Sequence, residues 1–157
     1  MAGLNDVKLR GCWSAGEVAG YLDTVRIPLR LGAQDSAGSP WVVSLWFLHE
    51  EGALWCAMNQ GSKLAGYLRS QPQCGFEIAA DAPPYRGVRG KGIASLVPER
   101  GEEILRRLLQ RYGIHADSGL ARSLLAKVDE EVAVRIAPSR LTSWDFTARM
   151  QGAVAPG

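Results

Sequence analysis

The chain has 157 residues and a formal charge of +2, with 46% hydrophobic and 22% charged residues, the make-up of one ordinary globular domain. So small a net charge gives no case for a nucleic-acid or membrane partner, and neither is expected. No apolar run approaches the ~18 residues of a membrane helix, and the opening "MAGLNDVKLRGC" has no apolar signal core, so a cytoplasmic setting is expected.

"SAGEVAGYL" puts Ser14 and Glu17 at capping-box spacing, followed by Val18, Tyr21 and Leu22 on one face, and predicts a short helix. "VRIPLRL" alternates Val25, Ile27, Leu29 and Leu31 with Arg26, Pro28 and Arg30. It predicts a strand, and Pro28, lacking an amide proton, puts it at a sheet edge or bulge. "AQDSAGSP" is a turn. "WVVSLWFLH" and "ALWCAMN", separated by "EEG", predict a hairpin with Gly52 in its turn. In "SKLAGYLRSQP", Ser62 is an N-cap, Leu64, Tyr67 and Leu68 share a face, and Pro72 stops the helix.

"CGFEIAA" predicts a strand, and "GIASLVP" continues extended after the loop "PPYRGVRGKG". "EEILRRLLQRYG" is the clearest helix. Ile104, Leu105, Leu108, Leu109 and Tyr112 form one stripe, acids lead, arginines follow and Gly113 caps the end. "SGLARSLLAKV" predicts another helix, and "EVAVRIAP" and "RLTSWDF" two closing strands joined at Pro138. Residues 151–157 read as a frayed tail. Hairpin strands interrupted by short helices argue against a doubly wound parallel sheet. The expectation is one mainly β (α+β) domain over residues 1–157, a small antiparallel barrel with short outer helices.

Gly87, Gly90 and Gly92 are spaced GxxGxG and precede a strand, so they do not form a dinucleotide fingerprint, which would open a helix. They mark a bulge or a bend at a barrel corner. Arg86, Arg89 and Lys91 between them suit either an anion or a solvated strand face. His49 and His115 are the only histidines and neither has a cysteine or carboxylate cluster nearby, so no metal site and no Ser-His-Asp triad is expected. His49, at a hairpin turn, is expected to be exposed. Cys12, Cys56 and Cys74 are odd in number, far apart and outside any CxxC pair, which argues against a disulfide framework. Glu102 and Glu103 suit the dipole of the helix they open. With no dedicated base or nucleophile, an enzyme built on this chain would rely on a bound cofactor. Ser62 and Lys63 stand where a strand passes into a helix. Free amides, helix dipole, hydroxyl and ammonium could converge there on a phosphate; an N-cap serine beside a surface lysine would look the same.

The order "PWVVSLWFLHEEGALWCAMNQGSKLAGYLRSQPQCGFEI", "PPYRGVRGKGIASL" and "RIAPSRLTSWDF" resembles the pyridoxamine 5′-phosphate oxidase-like family of flavin-binding split barrels over residues 14–150. The resemblance implies a split barrel, a homodimer, and flavin mononucleotide (FMN) in a groove at the interface. Relatives use the deazaflavin coenzyme or bind haem instead. It implies that Val43, Ser44, Leu45 and Trp46 pass along the flavin ring, that Met58 borders it, and that Ser62 and Lys63 hold the phosphate. Arg86 and Arg89 would border the same groove, with Trp144 approaching from the partner subunit. No residue is thereby assigned as acid or base. The Arg-Lys pair that follows the serine in true pyridoxamine phosphate oxidases is here Lys63 alone, and their arginine-rich tail is missing from "RLTSWDFTARMQGAVAPG". The expectation is therefore a flavin-dependent oxidoreductase of another small molecule, or a flavin or haem carrier without turnover.

Overall fold

The structure, a computed structural model, describes residues 3–153, so residues 154–157 of the tail expected to fray lie outside it. The strands are β1 (Lys8–Gly11), β2 (Leu29–Gln34), β3 (Pro40–Leu45), β4 (Leu48–Glu50), β5 (Ala53–Asn59), β6 (Gln73–Ala79), β7 (Arg86–Val97) and β8 (Glu131–Asp145). The α-helices are α1 (Ala15–Thr24), α2 (Lys63–Ser70), α3 (Gly101–Arg111) and α4 (Gly119–Leu125). The strands join one sheet in the order β3-β2-β6-β7-β8-β5-β4, with β1 laid parallel beside β8 and the other pairings antiparallel. No helix among the described residues is long and apolar enough to cross a membrane.

The run "WVVSLWFLH", expected as one strand of a hairpin, is in fact two strands with different neighbours. β3 pairs with β2, matching Val43 to Leu31 and Leu45 to Leu29, whereas β4 forms the hairpin with β5. Glu51 and Gly52 both have positive φ (51° and 73°), the two-residue turn that suits the twist of a hairpin. Between the two strands the Phe47 ring is fully buried, and the Phe47 amide donates to the Tyr112 hydroxyl at 3.2 Å instead of to a strand. β3 and β4 stand at opposite ends of the sheet, yet only Trp46 and Phe47 join them. The sheet must therefore roll until its ends meet, which gives a barrel split along one seam.

Three further expectations are corrected. Residues 25–28 are a link rather than strand: Val25 caps α1, its amide donating to the Tyr21 carbonyl at 2.9 Å, and β2 starts at Leu29. The "RGVRGK" segment is strand throughout, the first half of β7. The two closing strands are one, β8. Gly92 faces Pro138 and Lys91 faces Arg140, so Ser139 is left unmatched in a bulge. That bulge tolerates the proline, which has no amide to give the ladder. Before it, β8 pairs with β5; beyond it, with β1.

Side chains alternate as a pleated strand requires. Leu31, Leu54, Phe76, Val88, Val134 and Ile136 fill the barrel, which Val18 and Leu22 of α1 and Leu64 and Leu68 of α2 help to close. On the outer face, Ile104 and Leu108 of α3 pack on Trp55 and Ala133. Arg100 holds this layer in register, its guanidinium 4.2 Å from the Trp55 ring and 3.1 Å from the Glu50 carboxylate. His49 is not the exposed turn residue expected. Its side chain is 10% exposed, with Nδ1 2.7 Å from Asp23 Oδ1.

Candidate functional site

Where β3 leaves the sheet, a cleft of about 500 Å³ opens between the ends of β3 and β5 and helices α3 and α4. Ser44, Leu45 and Trp46 form one side, Ala57, Met58 and Asn59 another, and Leu105, Leu108 and Leu124 the helical wall. The Trp46 ring lies nearly parallel to Tyr112, centroids 5.3 Å apart and planes at 18°. Tyr112 is itself anchored: its hydroxyl donates to the Ile27 carbonyl at 2.9 Å and accepts from Phe47 N–H. Burial raises the Tyr112 pKa above its ordinary value, so the hydroxyl keeps the proton it donates. Trp46 is thus held flat by a residue that is itself fixed at both ends.

Among the described residues β3 has β2 as its only strand neighbour, so its other edge presents unpaired amides and carbonyls beside the cleft. At the end of β5, Asn59 leads into a tight turn. Its side-chain carbonyl accepts from Gly61 N–H at 2.8 Å, and its backbone carbonyl accepts from Ser62 N–H at 3.0 Å. The Arg69 guanidinium donates to the Gln60 carbonyl at 3.0 Å and clamps this turn to α2. Ser62 caps α2, its hydroxyl accepting from Ala65 N–H at 3.2 Å. Lys63 is exposed and has no carboxylate partner among the described residues. The N-cap reading of Ser62 therefore holds, and the amide end of α2 stays free beside a cation.

Glu131, the first residue of β8, also lines the cleft. Burial, and then the neighbouring Glu130, raise its carboxyl above the usual carboxylate range. A group whose folded-state pKa is raised favours the protonated native state. Its stabilising contribution is full below the unfolded value and is lost as pH rises through the folded one. Glu131→Gln is therefore expected to raise thermal stability at neutral pH, with the gain vanishing in acid. Melting curves across pH check this, and a pH-independent effect would contradict it.

The structure sorts the expected site residues into two groups. Ser44, Leu45, Trp46 and Met58 share the cleft. Val43 turns its side chain into the core, so only its backbone faces the open edge, while Ser62 and Lys63 follow the cleft residue Asn59 at the head of α2. Arg86, Arg89 and Trp144 lie elsewhere. Arg89 sits 5.5 Å from the Trp144 ring, and the two line a smaller cavity of about 210 Å³ with Thr142 and Phe146. Arg86 stands opposite Asp145 in the ladder. Along β8, Val132, which faces Met58, and Trp144 are twelve residues apart, about 40 Å of strand. One copy of the chain does not bring both groups to one cavity.

Sequence reasoning missed Glu131, Pro28 and the α3–α4 wall. The leucines read only as a core stripe, and a lone glutamate at a strand start carries no signal. Trp55 is a core residue. Cys56 and Cys74 are buried, the Cys74 thiol being pushed up to about 11, so neither is poised to react.

No family model and no curated protein matches this chain. Solved structures do match its fold. A conserved hypothetical protein of Mycobacterium tuberculosis, Rv2991, aligns with a TM-score of 0.74 at 24% identity, over 100% of this chain and 96% of that one. An F420 reductase aligns at 0.66 and 17% identity, over 76% of this chain and 92% of its own. A candidate pyridoxamine 5′-phosphate oxidase of Listeria innocua aligns at 0.63 and 16% identity, over 82% and 95%. The chain has the split-barrel fold of the pyridoxamine 5′-phosphate oxidase-like, flavin-binding proteins.

Proposed function

We propose that this protein binds a flavin-type coenzyme in the Ser44–Trp46 cleft, FMN in the first place and the deazaflavin coenzyme in the second, and passes hydride between it and a small molecule. The observation that carries this reading is the convergence of a rigid aromatic wall, an open strand edge and, past Asn59, the head of α2 with Ser62 and Lys63. The similarity in fold to an F420 reductase supports the same class of coenzyme.

The coenzyme, when bound, supplies the two-electron chemistry. The protein's part is binding and orientation. Trp46 and Met58 give the ring an apolar bed, and the free amides and carbonyls of residues 43–46 meet its polar edge. Leu105, Leu108 and Leu124 keep water from that side. Lys63, Ser62 and the free amides of α2 take the phosphate. Arg86, Arg89 and Trp144 serve the cleft of a second copy, so the working unit is a homodimer, in the cytoplasm. Oxidation of pyridoxamine phosphate itself is not part of this reading, because a single cation follows Ser62.

A second reading, a carrier without turnover, is favoured by the cleft's chemistry, since among the described residues Glu131 is the only titratable side chain that lines it. The coenzyme-loaded protein with NADH or NADPH, and then oxygen or another acceptor, separates the two. Steady turnover supports the oxidoreductase. A bound flavin that is neither reduced nor reoxidised leaves the carrier.

A further inference from the structure

Across β1, β8 and β7 the ladders set Lys8, Arg140 and Lys91 abreast, and Arg10, Thr142 and Arg89 in the next row of the same face. Leu9, Leu141 and Val88, between the rows, pack in or against the barrel core, so the cations stand on the outer face, and all are exposed. Among the described residues none of these cations is in an ion pair. Lys8 and Arg10 lie on an edge strand, where charge keeps a further strand from pairing. Arg140 and Lys91 have no such reason, because β8 and β7 lie inside the sheet. Like charges directly opposite one another weaken a ladder, so three abreast cost stability unless an anion lies over them.

The ground around the first row is open. Beyond Lys91 it continues as Gly75 and Gly32, with no side chain to fold over it. Lys91 lines a cavity on either side, one of about 340 Å³ shared with Arg140 and Thr142, the other of about 530 Å³ over the two glycines. The carboxylate on this face, Glu77, lies in the second row opposite Arg89, so the first row has none. Arg89 itself is left out of the site, because it stands 5.5 Å from the Trp144 ring. From Lys8 to Lys91 is two strand spacings, about 10 Å, and the rows lie about 7 Å apart. That patch is too small for a nucleic-acid duplex or a membrane surface, and a net charge of +2 adds no long-range pull toward either. It suits a short chain of anionic groups. Linked phosphates carry a charge on each successive group and offer the arginine forks paired oxygens.

We propose that Lys8, Arg140, Lys91 and Arg10 bind a chain of two or three linked phosphates, free or as part of a nucleotide. Calorimetric titration of the full chain with tripolyphosphate, without divalent cations and at fixed ionic strength in chloride, tests it. Saturable binding is expected, weakened about tenfold or more by Arg140→Gln and by Lys91→Gln. Both variants should melt no lower than the parent, since each removes a repulsion, so lost binding will not reflect a lost fold. Arg122→Gln, at an exposed arginine of α4, is the control for charge alone and should bind as the parent does. Lys63→Met should also leave this binding unchanged, which distinguishes it from the proposed coenzyme phosphate site. Adenosine triphosphate as a second probe separates the sources: tighter binding than tripolyphosphate assigns the nucleotide, equal or weaker binding the free chain. No saturable binding, citrate bound as tightly as tripolyphosphate, or a loss in Arg122→Gln equal to that in Arg140→Gln would overturn the proposal.

Discussion

Gly90→Ala is expected to destabilise the protein by about 3 kcal/mol and to lower its melting temperature by about 6–12 °C. A β-carbon built at Gly90 would stand 2.5 Å from the Phe76 ring, 2.6 Å from the Arg140 carbonyl and 2.7 Å from a Leu141 methyl. The ring and the methyl can turn aside. The carbonyl cannot, because it belongs to the central strand β8, so β7 and β8 would have to separate. Gly20→Ala in α1 is the control. Its β-carbon meets nothing within 4 Å, and removing a mid-helix glycine should stabilise by about 0.5–1 kcal/mol. Thermal melts of both proteins decide the matter, and a Gly90→Ala protein that melts with the parent would mean that the strands are not packed so closely.

Lys63→Glu should weaken FMN binding about 10- to 100-fold, the effect of losing a charge-assisted contact worth about 1.5–3 kcal/mol. Fold stability should move little or even rise, because an acid in the first turn of α2 suits the helix dipole. That opposition separates a binding residue from a structural one. Riboflavin, which has no phosphate, should bind the variant and the parent alike. Ser62→Ala is a less clean probe, since it also removes the cap of α2, at about 1 kcal/mol. Fluorescence titrations with FMN and riboflavin supply the readout, and FMN affinity unchanged in Lys63→Glu would remove the phosphate role from Lys63.

Much of this fold is legible wherever local chemistry decides. The Ser14–Glu17 capping box, the stripe of α3, the Ser62 cap and the Gly113 end each bind a few neighbouring residues, and each appears where its spacing puts it. What stays hidden is whatever the rolled sheet decides. The corner at Trp46 and Phe47 looks like unbroken strand, because both sides of it are apolar and its cause, the Tyr112 hydroxyl, lies 65 residues away. Pro138 looks like a strand end because the bulge that absorbs it exists only in the pairing with Gly92. β1 is four residues without a clear alternation, and it owes its place to β8. In the candidate site, Ser44 to Trp46 and Met58 line one cleft. Glu131 and the α3–α4 leucines join them only through packing, and Arg89 with Trp144 is carried away by the length of β8.

The most direct test is the absorption spectrum of the freshly purified protein, together with the mass of any ligand released by denaturation. The coenzyme reading predicts a flavin-type visible band and the mass of FMN or the deazaflavin coenzyme, or such a band after either is added. A haem spectrum, or a colourless protein that takes up neither coenzyme, would contradict it.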